Sequence, residues 1–344
     1  MNPPLLKIRL AFVAIAFCLC GQAPFAAPGA DTNPPATPAP GAPAPPNQPK
    51  PNANAPGARR TFPKGEWVDP DHTAPNGTKY VTFPSKVLGH EVSCLVYLPP
   101  GHDESTQRYP VIYWLHGMGG NQRAGASVYV PMLAAATQRK ELPPSIVVLV
   151  NGMVTSFYCD STDGKVPEES VIIKDLIPYV DQTYRTIAKR EARVIEGYSM
   201  GGYGTAHLGF KYPDLFGAVV INAGALLPIE APAGAPGGGP MQGVFGDDKE
   251  RRKAEHPLTL AEKNASQLRG KTRIRIGCGS ADSLLKFNQD LHERLQQLNI
   301  EHEFVIVPDV AHNPPVYYRT LGDKCFEFHR KFFEALAESG TPSK

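Results

Sequence analysis

Ser199 stands in Gly197-Tyr198-Ser199-Met200-Gly201, a Gly-x-Ser-x-Gly spacing, where a serine can attack an acyl carbon. The apolar run 192–195 leads into it, and the helix-compatible run 205–210 leads out. A serine raised on a sharp strand-to-helix turn sits in strained backbone, and side chains two residues to either side would strike the turn. Glycine at 197 and 201 meets that demand. The chemistry implied is acyl transfer through a serine ester. It needs a base, an acid to orient the base, and two N–H donors for the oxyanion.

His312 is the candidate base. It lies C-terminal to the serine, in the loop directly after the apolar run 303–307. His116, His207, His256, His292 and His329 lie within or just before predicted elements and read as structural or exposed. His116 opens a His-Gly turn and is expected to be a strut for it. Asp282, in Gly279-Ser280-Ala281-Asp282, follows a strand end and is the candidate acid. It is also placed to cap the next helix. Asp309 is the reserve acid, close in sequence to His312. The order Ser199, Asp282, His312 is that of α/β-hydrolases. Met200, just after the serine, offers one oxyanion N–H. Met118, in His116-Gly117-Met118-Gly119-Gly120, offers the other, with Gly117 second.

These residues need a frame. Apolar runs at 92–98, 110–115, 145–150, 192–195, 218–221, 272–276 and 303–307 read as strands buried on both faces, hence a mostly parallel sheet flanked by helices. Helices are expected at 131–139, with Pro131 at the first helical position, and at 168–184, 284–298 and 317–336. Ile172, Leu176, Val180 and Tyr184 recur at spacing four, and Pro178 should kink or break that helix. Strand–helix alternation gives a single α/β domain with its site at the carboxyl ends of the strands. Residues 228–240 are rich in Gly, Pro and Ala without period, and are expected to overhang the site.

The N-terminal part of the 344-residue chain has another character. Residues 1–27 have the layout of a signal peptide: Lys7 and Arg9, an apolar run over 10–21 too short for a comfortable span, then small residues. Residues 28–61 form a Pro/Ala-rich linker unable to bury a core. The domain is then 62–340, in a secreted or periplasmic protein with no stable membrane insertion once the signal is removed. Lipid attachment at Cys20 is the alternative, although Phe17-Cys18-Leu19 lacks the expected small residue. Losing Lys7 and Arg9 takes the formal charge from +2 to zero, which argues against nucleic acid as partner. Cys94, Cys159, Cys278 and Cys325 would permit two disulfides in an exported protein, with the pairing open. Their spacing suits no zinc site, and no metal or cofactor is expected.

The chain resembles the putative-esterase family of α/β-hydrolases, which includes esterase D, the antigen 85 mycolyltransferases and feruloyl esterases. The likeness covers about residues 80–335. It rests on Leu115-His116-Gly117-Met118-Gly119-Gly120-Asn121, Ser156-Phe157-Tyr158-Cys159-Asp160-Ser161, Asp175-Leu176-Ile177-Pro178-Tyr179-Val180, the Ser199 elbow and Tyr212-Pro213-Asp214-Leu215-Phe216. The resemblance implies the α/β-hydrolase fold, Ser199, Asp282 and His312 as triad, and Met118 and Met200 as oxyanion donors. It makes Asp160 a substrate-side aspartate, and Tyr198 beside the serine is a second candidate for substrate contact. Many members carry Trp two positions after the histidine. Here the run is His312-Asn313-Pro314-Pro315, so Tyr317 or Tyr318 is expected to supply that ring. The expected function is a serine carboxylic ester hydrolase working through an acyl-enzyme on small-molecule or carbohydrate esters, feruloyl or acetyl first. An acyltransferase using a sugar hydroxyl, or a non-catalytic binding protein of the same fold, are the alternatives.

Overall fold

The computed structural model describes residues 65–229 and 239–339. The signal segment, the linker, Cys20 and most of the 228–240 stretch lie outside them.

Eight strands form one sheet in the order β1-β2-β4-β3-β5-β6-β7-β8. They are β1 (Thr78–Ser85), β2 (His90–Tyr97), β3 (Val111–Leu115), β4 (Ile146–Val150), β5 (Arg193–Tyr198), β6 (Ala218–Asn222), β7 (Arg273–Gly279) and β8 (Glu303–Val307). β1 and β2 pair antiparallel, as do β2 and β4, and every other pairing is parallel. The apolar strand runs predict seven of the eight. β1 alternates exposed and buried positions and carries no continuous apolar run to betray it.

Side chains alternate across each strand. Val111, Tyr113 and Leu115 of β3 enter one core, Ile112 and Trp114 the other, and Ile195 and Val194 of β5 divide the same way. Register aligns the carboxyl ends: Leu115 faces Gly197, Tyr198 faces Asn222, Asn222 faces Gly277, and Gly279 faces Val307. The loops bearing residues 116–120, 199, 282 and 312 therefore leave the sheet at one end.

The helices are α1 (Arg123–Gln138), α2 (Glu168–Val171), α3 (Ile177–Thr183), α4 (Met200–Lys211), α5 (Gln242–Phe245), α6 (Lys249–Ala254), α7 (Pro257–Lys263), α8 (Ala265–Leu268), α9 (Leu285–Gln297), α10 (Pro314–Leu321) and α11 (Lys324–Ser339). None is long and apolar enough to cross a membrane among the described residues. Two helical expectations are corrected, and the break expected at Pro178 is found. Pro131 does not start a helix but lies inside α1, whose first turn is held by Asn121 Oδ1 accepting the Arg123 N–H at 3.0 Å. The 168–184 helix is divided by a π-helical turn over Ile172–Leu176 directly before Pro178, so the widened turn takes up the bond that proline cannot donate. The 317–336 stretch is two helices, broken at Gly322 with φ 56°.

The disulfide expectation is also corrected. Cys94, Cys159, Cys278 and Cys325 are all free and buried, packed as small apolar residues in the two cores.

Candidate active site

The elbow forms as its spacing requires. Ser199 has φ 62° and ψ −117°, a conformation that side chains rarely adopt. Its N–H donates to the Asn222 carbonyl at 3.0 Å, and its own carbonyl accepts from Tyr203 and Ala225. A Cβ on Gly197 would lie 2.5 Å from the Gly201 backbone, and one on Gly201 2.0 Å from the Leu115 oxygen. Helix α4 is buried from Met200 to Phe210 and so is held firmly beneath the serine.

His312 Nε2 lies 2.9 Å from Ser199 Oγ, and His312 Nδ1 lies 2.8 Å from Asp282 Oδ2. A carboxylate accepts only, so Nδ1 carries the proton and Nε2 is left to accept the serine hydroxyl. Asp282 has no exposed side-chain surface, whereas a third of the His312 side chain is exposed. The other Asp282 oxygen, Oδ1, accepts the Leu284 N–H at 2.8 Å, so this aspartate also steadies the start of α9. The reserve acid is set aside: Asp309 is exposed, and its N–H donates to Ser280 Oγ.

The 116–120 loop, the candidate oxyanion loop, lies against the serine, a Cβ on Gly117 falling 3.4 Å from Ser199 Cβ. Gly119 and Gly120 donate their N–H groups to Val154 and Gly117, which holds the loop from both ends. Among the described residues no hydrogen-bond acceptor meets the Met118 N–H, and Met200, first in α4, has no partner within its helix. His116 is the expected strut. Its Nε2 accepts the Gly152 N–H at 3.1 Å and its Nδ1 donates to the Gly117 carbonyl at 2.9 Å. Tyr158 is a support the sequence does not announce. Its hydroxyl donates to the His116 carbonyl at 2.9 Å, and its ring fills the space left by Gly152 and Gly204.

Two substrate-side expectations are placed differently. Tyr198 is buried; it ends β5 on the face away from Gly197, its hydroxyl 3.4 Å from Asp282 Oδ2 and its ring centroid 5.1 Å from that of His312. It backs the triad. Asp160 gives both carboxylate oxygens to Ser170, at 2.9 Å to its N–H and 2.7 Å to its hydroxyl, which anchors α2. Tyr317 and Tyr318 are buried as well and turn their hydroxyls inward, so neither supplies a ring to a substrate. A cleft of about 400 Å³ lies along residues 153–166, walled by Met153, Val154, Ser156, Cys159, Ser161 and Val244; Ser199, His312 and the 116–120 loop are not among its lining residues.

Beneath α4, Glu169, His207 and Glu255 bring possible metal ligands together. Lys211 Nζ, however, lies 2.8 Å from Glu169 and 2.6 Å from Glu255, so the chain supplies its own cation. His207 faces the Glu255 carbonyl at Nδ1 and the Glu169 carboxylate at Nε2, two acceptors, which requires both nitrogens protonated. Burial opposes that charge, yet its neighbours Cys159 and Glu169 raise the His207 pKa well above the ordinary value.

Stability should therefore peak near pH 6.5. Burial pushes His116 and His256 down to about 4 from an ordinary 6.5, so between these values the unfolded chain takes up protons the folded chain refuses, and stability rises with pH. Burial pushes Glu168, whose oxygens have no partner, well above its ordinary 4.5, which opposes the rise, whereas Glu169, which burial would raise, is held down to about 2 by His207 and Lys211 and adds to it. Above 6.5 the two histidines no longer contribute, while folded His207 still holds a proton the unfolded chain releases, so stability falls. Thermal unfolding from pH 4 to 9 checks this. A melting temperature that climbs steadily through pH 9 would contradict it.

A parallel-sheet frame, a strained serine on its central strand, and a histidine and buried aspartate at the same sheet end define an α/β-hydrolase. The chain belongs to the family described as "Putative esterase", whose model matches residues 85–318. An endo-1,4-beta-xylanase/feruloyl esterase of Xylanibacter ruminicola is 33% identical over 162 residues, 44% of this chain and 22% of that protein. An acetyl esterase of Caldicellulosiruptor saccharolyticus is 25% identical over 238 residues, 64% of this chain and 86% of its own length. The chain thus spans about a fifth of the first relative. Among solved structures, a ferulic acid esterase superposes with a TM-score of 0.65 at 23% identity, over 76% of this chain and 100% of that one, a likeness of fold.

Proposed function

We propose that this protein is an exported serine carboxylic ester hydrolase working through an acyl-enzyme. The observation that carries the reading is the alignment of Asp282, His312 and Ser199 at 2.8 and 2.9 Å, with the tautomer fixed by the buried acid. Ser199 Oγ attacks the ester carbon while His312 Nε2 takes its proton. Asp282 holds the imidazolium that forms, and the Met118 and Met200 N–H groups receive the oxyanion. His312 then protonates the leaving alcohol. Water, activated by the same nitrogen, releases the acid.

The substrate class proposed is an acetyl or feruloyl ester of a carbohydrate. It is supported by the names of the xylanase/feruloyl esterase and acetyl esterase relatives. An ester panel tests it, crossing acetyl, butyryl and feruloyl groups with sugar and simple alcohols. Turnover is expected on acetyl and feruloyl esters. A wild-type protein that hydrolyses no member of the panel would end the hydrolase reading. Turnover confined to butyryl esters would end the substrate assignment.

A further inference from the structure

Three residues before Ser199, β5 buries a glutamate with no exposed surface, Glu196. An acid so placed is costly unless its oxygens are bonded, and here both are. Oε2 accepts the Tyr129 hydroxyl at 2.8 Å; Oε1 accepts the Asn222 amide at 3.0 Å and the Tyr318 hydroxyl at 3.2 Å. His329 Nε2 also lies 2.8 Å from Oε2, off the direction of a hydrogen bond. The Tyr318 hydroxyl in turn accepts the Trp114 indole N–H at 3.2 Å and the second Asn222 amide hydrogen at 3.3 Å. Asn222 Oδ1 accepts the Tyr317 hydroxyl at 2.9 Å. Gly277 leaves room for that bond, since a Cβ there would lie 2.1 Å from the Tyr317 oxygen.

The members of this network touch both halves of the triad. Asn222 receives the Ser199 N–H through its backbone carbonyl. Tyr317 and Tyr318 lie on α10, which begins two residues after His312 and is capped by Asn313 Oδ1 accepting the Val316 N–H. The Tyr317 ring packs edge-on against Tyr198 at 5.4 Å, and Tyr198 packs against His312. Serine and histidine come from segments 113 residues apart, and His312 itself is partly exposed. A polar network is not needed merely to fill this core, because apolar side chains of equal volume often stabilise as well or better. What directional bonds add is a single geometry.

We propose that Glu196, with Asn222, Tyr317 and Tyr318, is a positioning unit that sets the distance between Ser199 and His312. This rests on the hydrolase reading above, so its test separates the two. Reactive serines are first counted by the p-nitrophenolate burst from a p-nitrophenyl phosphonate. Then kcat and KM for p-nitrophenyl acetate are measured per reactive serine, so that misfolded protein does not count. Tyr317→Phe, Tyr318→Phe and Glu196→Gln should each lower kcat per serine about tenfold or more, because small displacements of reacting groups are expensive. KM should stay within about twofold, since no substrate contact is removed. Val180→Ala, a core change on α3 against the opposite sheet face, should lower the melting temperature and leave kcat per serine unaltered. If Glu196→Gln fails to fold, the two tyrosine variants, each missing one hydroxyl, decide the matter. Tyrosine variants with wild-type kcat per serine overturn the proposal. A wild type that gives neither burst nor turnover overturns the hydrolase reading instead.

Discussion

Ser199→Ala is expected to abolish turnover of short carboxylic esters, lowering kcat by about 10⁴- to 10⁶-fold, while the protein stays folded. The change removes one oxygen and little else. The Ser199 N–H still reaches Asn222, the 199 carbonyl still accepts from Tyr203 and Ala225, and the flanking glycines still clear the turn. Alanine tolerates the strained φ of 62° no worse than serine does. The proposed Met118 and Met200 donors remain, so the small residual rate is expected from oxyanion binding alone. Steady-state hydrolysis of p-nitrophenyl acetate beside a thermal melt separates the two effects. The expected pair is a lost rate and a melting temperature within a few degrees of wild type. Turnover within about tenfold of wild type would remove Ser199 from the mechanism.

The geometry that brings Ser199, Asp282 and His312 together is legible because each residue sits where short-range pattern and strand order both speak. Gly197 and Gly201 are demanded by a local turn, and the clashes a Cβ would make there are with backbone. Asp282 and His312 each follow a strand end, and the parallel register brings those ends together. The strands were legible for the same reason, as continuous apolar runs. Where the sequence misled, a local preference met a tertiary one. Pro131 favours a helix start, yet Asn121 starts α1 earlier and the proline rides an exposed face. Four cysteines beyond residue 27, read as lying in an exported chain, invite disulfides, yet all four are free and buried.

Residues that work through others left no such trace. Glu196 lies within an apolar strand, and nothing in its neighbours announces Tyr129, Asn222 and Tyr318 as partners; the nearest of these in sequence is 26 residues away. Tyr158 supports the oxyanion loop from 42 residues beyond it. Tyr198 adjoins Ser199 in sequence, but the strand's two-residue alternation turns it to the opposite side, behind Asp282. Hydrogen-bond networks are assembled by the sheet, and sequence spacing carries little of that information.

Gly201→Ala should destabilise the fold by at least about 3 kcal/mol, with loss of soluble protein as the visible result. The added Cβ would sit 2.0 Å from the Leu115 oxygen, 2.6 Å from its carbonyl carbon and 2.9 Å from the His116 oxygen. All three are backbone atoms, and none can rotate away. Relief requires α4 to lift from β3, which would open the register between Leu115 and Gly197 and carry the His116–Gly117 turn away from the serine. Gly209→Ala offers a graded comparison: its Cβ meets Val219 Cγ2 at 2.5 Å, a side-chain atom that rotamer change can move, so the loss should be smaller. Gly243→Ala is the opposite case. It lies in α5 with nothing within 4 Å, and alanine should stabilise by up to about 1 kcal/mol through helix propensity. Melting temperatures of the three variants should rank Gly243→Ala, Gly209→Ala, Gly201→Ala from highest to lowest. A Gly201→Ala protein that melts with the wild type would mean that the close seating of α4 on β3 is not what holds the elbow, and the steric basis of the site would have to be sought elsewhere.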